Sequence, residues 1–389
     1  MTTDRPIIYL DNAATSFPKP EEVYRAVDRA MREVGANPGR GGHQLALEAG
    51  RIVLETRETL AEFFGINDSA RLTFTDNATT ALNTALFGLL QPGDRVVTTT
   101  MEHNSVIRPL RVLQDRGVQV VKVPADPTGW VDPRLIKEAC HFKRTRLVAM
   151  THCSNVTGTI QSIEDVALWC RREGILFLLD AAQSAGVLPI HVEAMNIDLL
   201  AVPGHKGLFG PQGTGALYVR EGIALAPLVY GGTGANSHSD LQPDEFPERL
   251  ESGTLNTPGL AGLKAGIDFL LREGLDVVRR REMEHVGTLL EEMKGMPEVE
   301  LYGPADLSLQ GGVVSFNLRD RDPAEIGFLL DHQHGILSRV GLHCAPDAHR
   351  TIGSYPRGTV RISPGYFTTD AEIDRFLTAL RALSGKSAH

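Results

Sequence analysis

Short apolar runs rich in Val, Ile and Leu alternate with longer amphipathic segments between about residues 50 and 220. Such runs are typical of buried strands in a parallel sheet, and the segments between them have the period of helices that cover its faces. The pattern predicts strands at 72–75, 96–100, 118–123, 147–151, 175–179, 199–202 and 215–219, and helices such as 78–90 and 163–172. We therefore expect an α/β fold.

This alternation stops at residues 221–257, which are rich in Gly, Ser, Asp and Pro. An irregular segment of this length is uncommon in a compact domain unless it has a use. Beyond it the pattern predicts helices at 260–272, 275–293, 323–332 and from 370, and strands at 313–316 and 360–363. We predict a large α/β domain over residues 15–257 and a small α+β domain formed by residues 1–14 and 258–389.

Composition narrows the class of protein. The chain has 389 residues, 42% of them hydrophobic, and a formal net charge of −9, which argues against nucleic acid as a main partner. No run approaches the roughly 18 apolar residues of a membrane span, and the first ten residues lack the basic flank of a signal peptide. The four cysteines form no C-x-x-C pair, so we expect neither a disulfide framework nor a metal site. We expect a cytoplasmic protein.

A lysine follows a predicted buried strand inside a segment rich in Gly and Pro, residues 201–213. Small residues let the backbone approach a ligand closely, and a lysine that loses water there becomes a nucleophilic amine. Lys206 is therefore a candidate for covalent attachment of a cofactor. The alternative is a solvated lysine in a surface turn.

A carboxylate ends another predicted apolar strand. At the carboxyl end of a parallel strand, Asp180 can face a ligand. Pyridoxal phosphate (PLP) needs a lysine that bonds to it and a carboxylate that holds its protonated ring nitrogen. Asp180 and Lys206 together favour PLP, although Asp180 alone can equally be the N-cap of the next helix.

Two more strand-to-helix turns carry polar side chains. Thr79 and Thr80 begin a predicted helix, where free N–H groups bind phosphate, although they can also be simple caps. His103 can stack on a flat ring and move protons, but a lone histidine is more often an ordinary polar residue. No G-x-G-x-x-G follows the early strands, which disfavours a nicotinamide enzyme.

In this order, the polar segments resemble the cysteine desulfurase/selenocysteine lyase family of the PLP-dependent class V aminotransferase superfamily. The matching motifs are residues 9–15, 78–80, 102–105, 154–158, 180–183, 204–206, 251–254 and 339–345. The resemblance implies the fold-type I architecture of PLP-dependent transferases. Its large domain has a mostly parallel seven-stranded sheet flanked by helices, and its small C-terminal domain is α+β.

The resemblance also implies roles around the cofactor. Lys206 would bond PLP covalently, Asp180 would hold its ring nitrogen, and His103 would stack on the ring and act as acid and base. The remaining contacts would be Asn155 and Gln183 to the ring 3-oxygen, and Thr79, Thr80 and His205 to the phosphate. Thr254 would reach the phosphate of a neighbouring subunit in a homodimer.

On the substrate side, the resemblance makes Cys344 the nucleophile that accepts sulfur, and a thiolate attacks sulfur well. We interpret Cys140, Cys153 and Cys170 as inert buried thiols. Arg361 would hold the substrate α-carboxylate, with Asn155 and Ala13 nearby, although an ion pair within the protein would also satisfy an arginine in an apolar strand.

The chain departs from the family pattern at two places. Pro203 stands where a phosphate-binding serine is usual, so one phosphate contact is expected to be lost. Residues 346–358 also differ, which bears on the sulfur acceptor.

The resemblance implies a cysteine desulfurase that converts L-cysteine to L-alanine and leaves a persulfide on Cys344. A protein or small-molecule acceptor would take the sulfur, for example for iron–sulfur cluster assembly. The alternatives are a selenocysteine lyase, or another class V aminotransferase or lyase in which Cys344 is not the nucleophile.

Overall fold

The structure is a computed structural model that describes residues 7–39, 41–141, 144–234 and 238–385. Its strands are β1 (Ile8–Tyr9), β2 (Leu72–Thr75), β3 (Arg95–Thr99), β4 (Gln119–Val123), β5 (Leu147–Thr151), β6 (Leu176–Asp180), β7 (Leu199–Pro203), β8 (Gly215–Val219), β9 (Val299–Tyr302), β10 (Val314–Leu318), β11 (Ile336–Leu337), β12 (Arg339–Gly341) and β13 (Thr359–Ile362). Its α-helices are α1 (Glu21–Arg29), α2 (Gln44–Phe63), α3 (Ala78–Leu89), α4 (Asn104–Asp115), α5 (Pro133–His141), α6 (Ile163–Glu173), α7 (Thr257–Glu273), α8 (Leu275–Lys294), α9 (Pro323–His334), α10 (Pro346–Thr351) and α11 (Asp370–Ser384).

Seven strands form the central sheet in the order β2-β8-β7-β6-β5-β3-β4. Neighbouring strands are parallel from β7 to β4, and β8 runs antiparallel to both of its neighbours. Every residue of β3, β5, β7 and β8 is buried, as expected for strands that helices cover on both faces. The predicted mostly parallel seven-stranded sheet is confirmed.

Helices cover both faces of this sheet. Alternate strand residues point to opposite sides, so Leu178 packs in a cluster with the apolar faces of α3 and α4. Its neighbours Phe177 and Leu179 belong to the other cluster, together with residues of α2, α6 and α7. The loops at the carboxyl ends of the strands are thereby held between rigid elements.

A second, smaller sheet has four antiparallel strands in the order β12-β13-β10-β9, and it has its own hydrophobic core. Its core joins Phe316 and Ile362 to Phe376 of α11. Strand β1 pairs in parallel with β11, so the N-terminal segment lies with this smaller sheet. Helix α7 contributes Leu263 and Ile267 to the core of the larger sheet, and the domain boundaries stay a prediction.

The irregular segment lies between the two sheets in the sequence. No helix or strand occurs in the described residues from 221 to 256. Several of its apolar side chains are exposed, among them Val229, Tyr230 and Leu241. None of the described helices is both long enough and apolar enough to span a membrane.

Candidate active site

A cavity of about 490 Å³ opens at the carboxyl ends of the central strands. Asp180 is aligned with Thr151 of β5 on one side and with Ala201 of β7 on the other. The predicted site residues that line this cavity are Thr79, His103, Asn155, Asp180, Gln183, His205 and Lys206. These residues come from loops that the parallel strands bring to one edge of the sheet.

The lysine lies in a tight turn after β7. Gly204 N–H donates to Thr214 O at 2.8 Å, and Phe209 N–H donates to Lys206 O at 2.9 Å. The backbone of Gly207 passes so close to a neighbouring loop that a Cβ there would lie 2.4 Å from Ala185 O. The Gly-rich sequence therefore allows close packing that fixes the base of the lysine side chain.

The charge environment of the lysine favours its neutral form. Burial, first, and the positive charge of Arg361, second, lower the pKa of Lys206 to about 8 from 10.5. Asp180 opposes this shift only in part. The neutral fraction of this amine at pH 7 is therefore far larger than for an ordinary lysine, which favours a nucleophilic role.

Two buried carboxyl groups lie behind the cavity. Burial raises the pKa of Asp180, while Ala182 N–H, a donor to Oδ1 at 2.9 Å, and Lys206 favour its charged form. Burial raises the pKa of Glu102 to about 8, and the charge of Asp180 adds to that shift. Glu102 accepts a hydrogen bond from Thr99 Oγ1 at 2.6 Å. Ala182 N–H and Lys206 thus oppose the effect of burial on Asp180, whereas the charge of Asp180 adds to the effect of burial on Glu102.

The N-terminal segment braces the lysine turn from outside. Ser16 Oγ donates to Lys206 O at 3.0 Å, and Ser16 N–H donates to His205 O at 3.1 Å. Lys19 Nζ donates to Ser16 Oγ at 2.9 Å and to His205 O at 3.2 Å. Sequence reasoning missed both Ser16 and Lys19, because nothing local indicates contact with a turn almost 200 residues away.

The residues of this cavity fit PLP. His205 Nδ1 is buried without a hydrogen-bond partner among the described residues, beside the start of α3. Asn77 caps α3 by accepting from Thr80 N–H at 2.9 Å, and Thr79 lines the cavity. With its proton on this nitrogen, the orphaned imidazole can donate to an anion such as phosphate, which the helix N-terminus also favours. Asp180 at the other end suits a protonated ring nitrogen.

His103 has a defined set of partners. It is the N-cap of α4, and its Nδ1 accepts from Ser105 N–H at 3.0 Å. Ser105 Oγ lies 2.8 Å from the same nitrogen and 2.8 Å from Thr79 Oγ1. Burial and the charge of Lys206 lower the pKa of His103 to about 4, so its imidazole is neutral. Sequence reasoning missed Ser105, although a serine two residues after a cap position is a recognisable signal.

The C-terminal cysteine lies beside His103. Cys344 is exposed and lines a second cavity, of about 770 Å³, that shares Thr79, His103 and Ser105 with the first. Its carbonyl accepts from Asn104 N–H at 2.7 Å, directly after His103. The thiol thus lies in a cavity that shares part of its wall with the lysine cavity.

The backbone around this thiol is tightly held. His343 and Cys344 have φ angles of 46° and 60°, in the left-handed region that non-glycine residues seldom adopt. Asn155 Nδ2 donates to His343 O at 2.7 Å, and His343 Nε2 lies 2.9 Å from Thr359 Oγ1. These contacts maintain a conformation that presents the thiol outward.

Two arginines lie side by side next to Cys344. Arg339 of β12 and Arg361 of β13 are cross-strand neighbours, and Arg339 Nη2 lies 3.5 Å from Cys344 Sγ. Arg361 is buried and donates to Asp11 Oδ1 at 2.7 Å and to Asn155 O at 3.0 Å. Its Nε has no partner in the described part of the chain. Two adjacent guanidinium groups favour an anionic ligand.

The other cysteines are buried and unpaired. Burial raises the pKa of Cys140 to about 11 and of Cys153 to about 12, and it raises that of Cys170 further. These are environments in which a thiol stays protonated. The structure thus places them as the sequence predicts.

Thr80, Thr254 and Ala13 are absent from the lining of the lysine cavity, and the contact of Thr254 with a neighbouring subunit stays a prediction. Thr80 and Thr254 line a separate cavity, and Asn37 Nδ2 donates to Thr254 Oγ1 at 3.2 Å. Ala13 N–H donates to Ser363 Oγ at 2.9 Å, and Ala13 O accepts from Gln183 Nε2 at 3.0 Å. Pro203 lines the lysine cavity and offers no hydroxyl there.

The sequence matches the family model described as aminotransferase class-V over residues 8–376. A probable cysteine desulfurase of Methanothermobacter thermautotrophicus is 38% identical over 388 residues, which cover 97% of this chain and 95% of the relative. A cysteine desulfurase of Serratia proteamaculans is 32% identical, with coverage of 97% and 93%.

Solved structures agree with these sequence matches. The apo structure of a cysteine desulfurase from Thermococcus onnurineus is similar with a TM-score of 0.90 and 35% identity, covering 97% of this chain and 94% of the other. The cysteine desulfurase CsdA from Escherichia coli has a TM-score of 0.87 at 27% identity, with the same coverage.

Proposed function

The chain belongs to the class V aminotransferase family, and we infer from this premise that it is a PLP-dependent cysteine desulfurase, which takes sulfur from L-cysteine and releases L-alanine. Relatives that span nearly the whole chain carry that activity in their names. We further propose that Cys344 accepts the sulfur. The observation that supports this role is the wall of Thr79, His103 and Ser105 that the Cys344 cavity shares with the Lys206 cavity.

When bound, PLP withdraws electrons from the substrate and stabilises negative charge that develops on it. In this proposal Lys206 would hold the cofactor covalently, Asp180 would hold its ring nitrogen, and Thr79 and His205 would hold its phosphate. Gln183 and Asn155 lie on the cavity wall between these groups. Because Pro203 has no hydroxyl, we expect the phosphate to have one contact fewer than in the usual family pattern.

The two arginines orient the substrate. A carboxylate is held best by a guanidinium with two parallel hydrogen bonds, and Arg361 has its Nε free in the described part of the chain. Asp11 pairs with Arg361 in this structure, so the substrate carboxylate would compete with Asp11 for the guanidinium. Arg339 adds positive charge next to the thiol.

Cys344 then performs the transfer. Its thiolate forms an S–S bond to the substrate sulfur as the C–S bond breaks, and the electron pair of that bond stays on the substrate carbon. His103 or Lys206 delivers a proton to that carbon, which becomes the methyl group of alanine. Sulfur remains as a persulfide on Cys344 until an acceptor thiol takes it.

We also propose a homodimer. Thr254 lies outside the Lys206 cavity of its own chain, and the irregular segment around it exposes Val229, Tyr230 and Leu241. Large apolar side chains exposed in this way favour a protein interface. A cytoplasmic location and a role in iron–sulfur cluster assembly stay predictions.

Alanine formation from L-cysteine, with a thiol reductant as acceptor, tests this function. We expect Cys344→Ser to lower the rate by at least about 10³-fold, since no sulfur nucleophile remains. Cys153→Ser is the matched control, because Cys153 also lines the lysine cavity, and it should keep most of the activity. Unchanged turnover in Cys344→Ser would contradict the role of Cys344 and favour a class V enzyme in which this thiol is not the nucleophile.

A further inference from the structure

The cavity of Cys344 continues away from the thiol along two helices. On α4 its lining residues Ser105, Arg108, Pro109 and Val112 are spaced three and four positions apart, so they form one stripe along the helix. Residues 79, 83 and 87 form a matching stripe on α3. At about 770 Å³, the cavity has a size typical of sites for small molecules, which span roughly 300–1,000 Å³.

The order of residues along α4 gives the cavity a direction. Cys344 lies at the start of this helix, because its carbonyl accepts from Asn104 N–H at 2.7 Å. Arg108 comes four residues later, about 6 Å along the helix axis. Val112, which is 42% exposed, and Phe87 of α3 lie further on. A molecule in this cavity thus meets the thiol first, then a cation, then apolar surface.

Two arginines make the surroundings of the thiol positive. Arg108 lines the cavity, and Arg339 Nη2 lies 3.5 Å from Cys344 Sγ. Neither arginine has an ion-pair partner among the described residues. Burial, first, and then the charges of Lys206 and of both arginines lower the pKa of His103 to about 4, so these charges reach the cavity wall.

Negative charge near the thiol is already offset. In the described part of the chain, no acidic residue lines this cavity. Asp347, the acid nearest to Cys344 in the sequence, accepts from Lys122 Nζ at 2.6 Å and from Arg350 Nη1 at 2.7 Å. The cavity therefore favours an anionic ligand and disfavours a cationic one.

We propose that this cavity selects, as the sulfur acceptor, a small thiol that carries a carboxylate. The thiol of the acceptor meets Cys344, its carboxylate pairs with Arg108, and any further carbon atoms pack on Phe87 and Val112. The proposal deepens the proposed function and rests on it, because an acceptor is needed only if Cys344 carries sulfur.

Transfer to such an acceptor needs no further reactant. The acceptor thiolate attacks the outer sulfur of the Cys344 persulfide, and a new S–S bond forms as the old one breaks. The electron pair of the broken bond stays on Cys344 Sγ, which becomes a thiolate. The acceptor leaves as a persulfide with the proton that the outer sulfur carried, so there is no net oxidation or reduction.

Three variants isolate the charge of Arg108. Arg108→Gln removes this charge, whereas Arg108→Lys keeps it. Arg111→Gln is the matched control, because Arg111 is an exposed arginine of the same helix that pairs with Asp115 at 3.0 Å and does not line the cavity.

The first test uses the protein as purified, without substrate. Iodoacetate and iodoacetamide alkylate the same thiolate, but only iodoacetate carries a carboxylate. The ratio of the two rates at Cys344, from timed peptide mapping, therefore cancels any change in the fraction of thiolate.

We expect Arg108→Gln to lower the ratio of the iodoacetate rate to the iodoacetamide rate about threefold, and Arg108→Lys and Arg111→Gln to leave it unchanged. In about 1 M salt, where charges are screened beyond about 3 Å, the ratio of the parent chain should fall to that of Arg108→Gln. An equal ratio in the parent chain and Arg108→Gln at low salt would overturn the proposal.

The second test uses the PLP-loaded enzyme. L-Cysteine without reductant loads sulfur onto Cys344, and gel filtration removes the excess. The sulfur is then offered to 3-mercaptopropionate, 2-mercaptoethanol or cysteamine, which are anionic, neutral and cationic thiols. Mass spectrometry follows the loss of the persulfide. For each thiol, the ratio of the parent rate to the variant rate cancels its intrinsic reactivity.

We expect Arg108→Gln to slow transfer to 3-mercaptopropionate about threefold to fivefold, to leave 2-mercaptoethanol unchanged and to speed transfer to cysteamine. Arg108→Lys should restore the parent rates. Equal ratios for the three thiols would overturn the acceptor proposal and leave the desulfurase function intact. A parent chain that forms no persulfide on Cys344 would refute the role of Cys344, and the acceptor proposal with it.

Discussion

Cys153 and Cys344 line two adjoining cavities, and the surroundings of the two thiols differ in nearly every respect. Cys153 lines the lysine cavity itself, but it is buried, donates to Gly158 O at 3.4 Å, and has its pKa raised to about 12. Cys344 lines the adjoining cavity, is exposed, and lies 3.5 Å from the guanidinium of Arg339. Proximity to the lysine therefore does not select the reactive thiol. Exposure and neighbouring charge do.

The difference arises from the elements that carry the two residues. Cys153 follows β5 in the large sheet, where close packing suits the interior, and Gly311 is packed so tightly against it that a Cβ there would lie 2.6 Å from Sγ. Cys344 follows the edge strand β12 of the small sheet. The proposed nucleophile is thus the thiol that follows an edge strand of the smaller sheet.

Removing Lys206 should have the largest effect on activity. Lys206→Ala deletes the amine that bonds the cofactor, so we expect the visible absorbance of the bound cofactor to disappear and alanine formation to fall by at least about 10³-fold. Absorbance spectra and amino-acid analysis after incubation with L-cysteine measure these two effects. Lys19→Ala, which removes a brace of the same turn, should retain the absorbance. Normal turnover in Lys206→Ala would refute the assignment.

The comparison of the thiols can be tested without substrate. In the folded, cofactor-free protein at pH 7, we expect iodoacetamide to modify Cys344 at least about 100-fold faster than Cys153, because a buried protonated thiol is a poor nucleophile. Peptide mapping at timed intervals gives both rates. The two rates should converge once the protein is unfolded in guanidinium. Similar rates in the folded state would contradict the proposed difference in reactivity between the two thiols.

The lowered pKa of Lys206 predicts a pH dependence for cofactor attachment. A lysine with a pKa of about 8 is mostly protonated at pH 7 and mostly neutral at pH 9, so the neutral fraction rises about tenfold between them. The rate at which PLP bonds to the cofactor-free protein, followed by absorbance, should rise accordingly and level off above about pH 9. A rate that keeps rising toward pH 10 would show an ordinary lysine.

The arginine beside Cys344 should have a smaller effect. Arg339→Gln removes the positive charge that lies 3.5 Å from Cys344 Sγ, so we expect alkylation of Cys344 to slow about threefold, a modest factor for a partly exposed charge. Alkylation of Cys153 in the same sample is the internal control. An unchanged Cys344 rate would mean that exposure alone distinguishes the two thiols.

The smallest expected effect concerns the support of the Cys344 turn. Lys122 Nζ donates to Asp347 Oδ2 at 2.6 Å and ties α10 to the edge of the large sheet. Because this pair is partly exposed, Lys122→Met should lower the free energy of unfolding by only about 0.5 kcal/mol. Urea unfolding measures it, and a loss several times larger would show that the pair is a main anchor.

Local sequence patterns predict the sheet and the residues at its edge. Asp180 and Lys206 end up in one cavity because apolar runs mark their strands, and parallel strands end on the same side of a sheet. The edge strand β12 has only three residues, too few for a pattern, and it carries Arg339. The long helix α2 begins before the region where alternation is evident.

Local sequence patterns cannot predict contacts between segments that are far apart in the chain. Asp11 meets Arg361 across 350 residues, and Ser16 meets Lys206 across 190. Both depend on how the N-terminal strand joins the small sheet and crosses the lysine turn. Ser105 was within reach of local reasoning, but its contact with Thr79 needed the three-dimensional arrangement of α3 and α4.

Mass spectrometry of the purified protein after L-cysteine tests the central claim most directly. Without reductant, the peptide that contains Cys344 should gain one sulfur atom as a persulfide, and the peptide that contains Cys153 should not. Alanine formed with no added sulfur on Cys344, or with the sulfur on Cys153, would contradict the account.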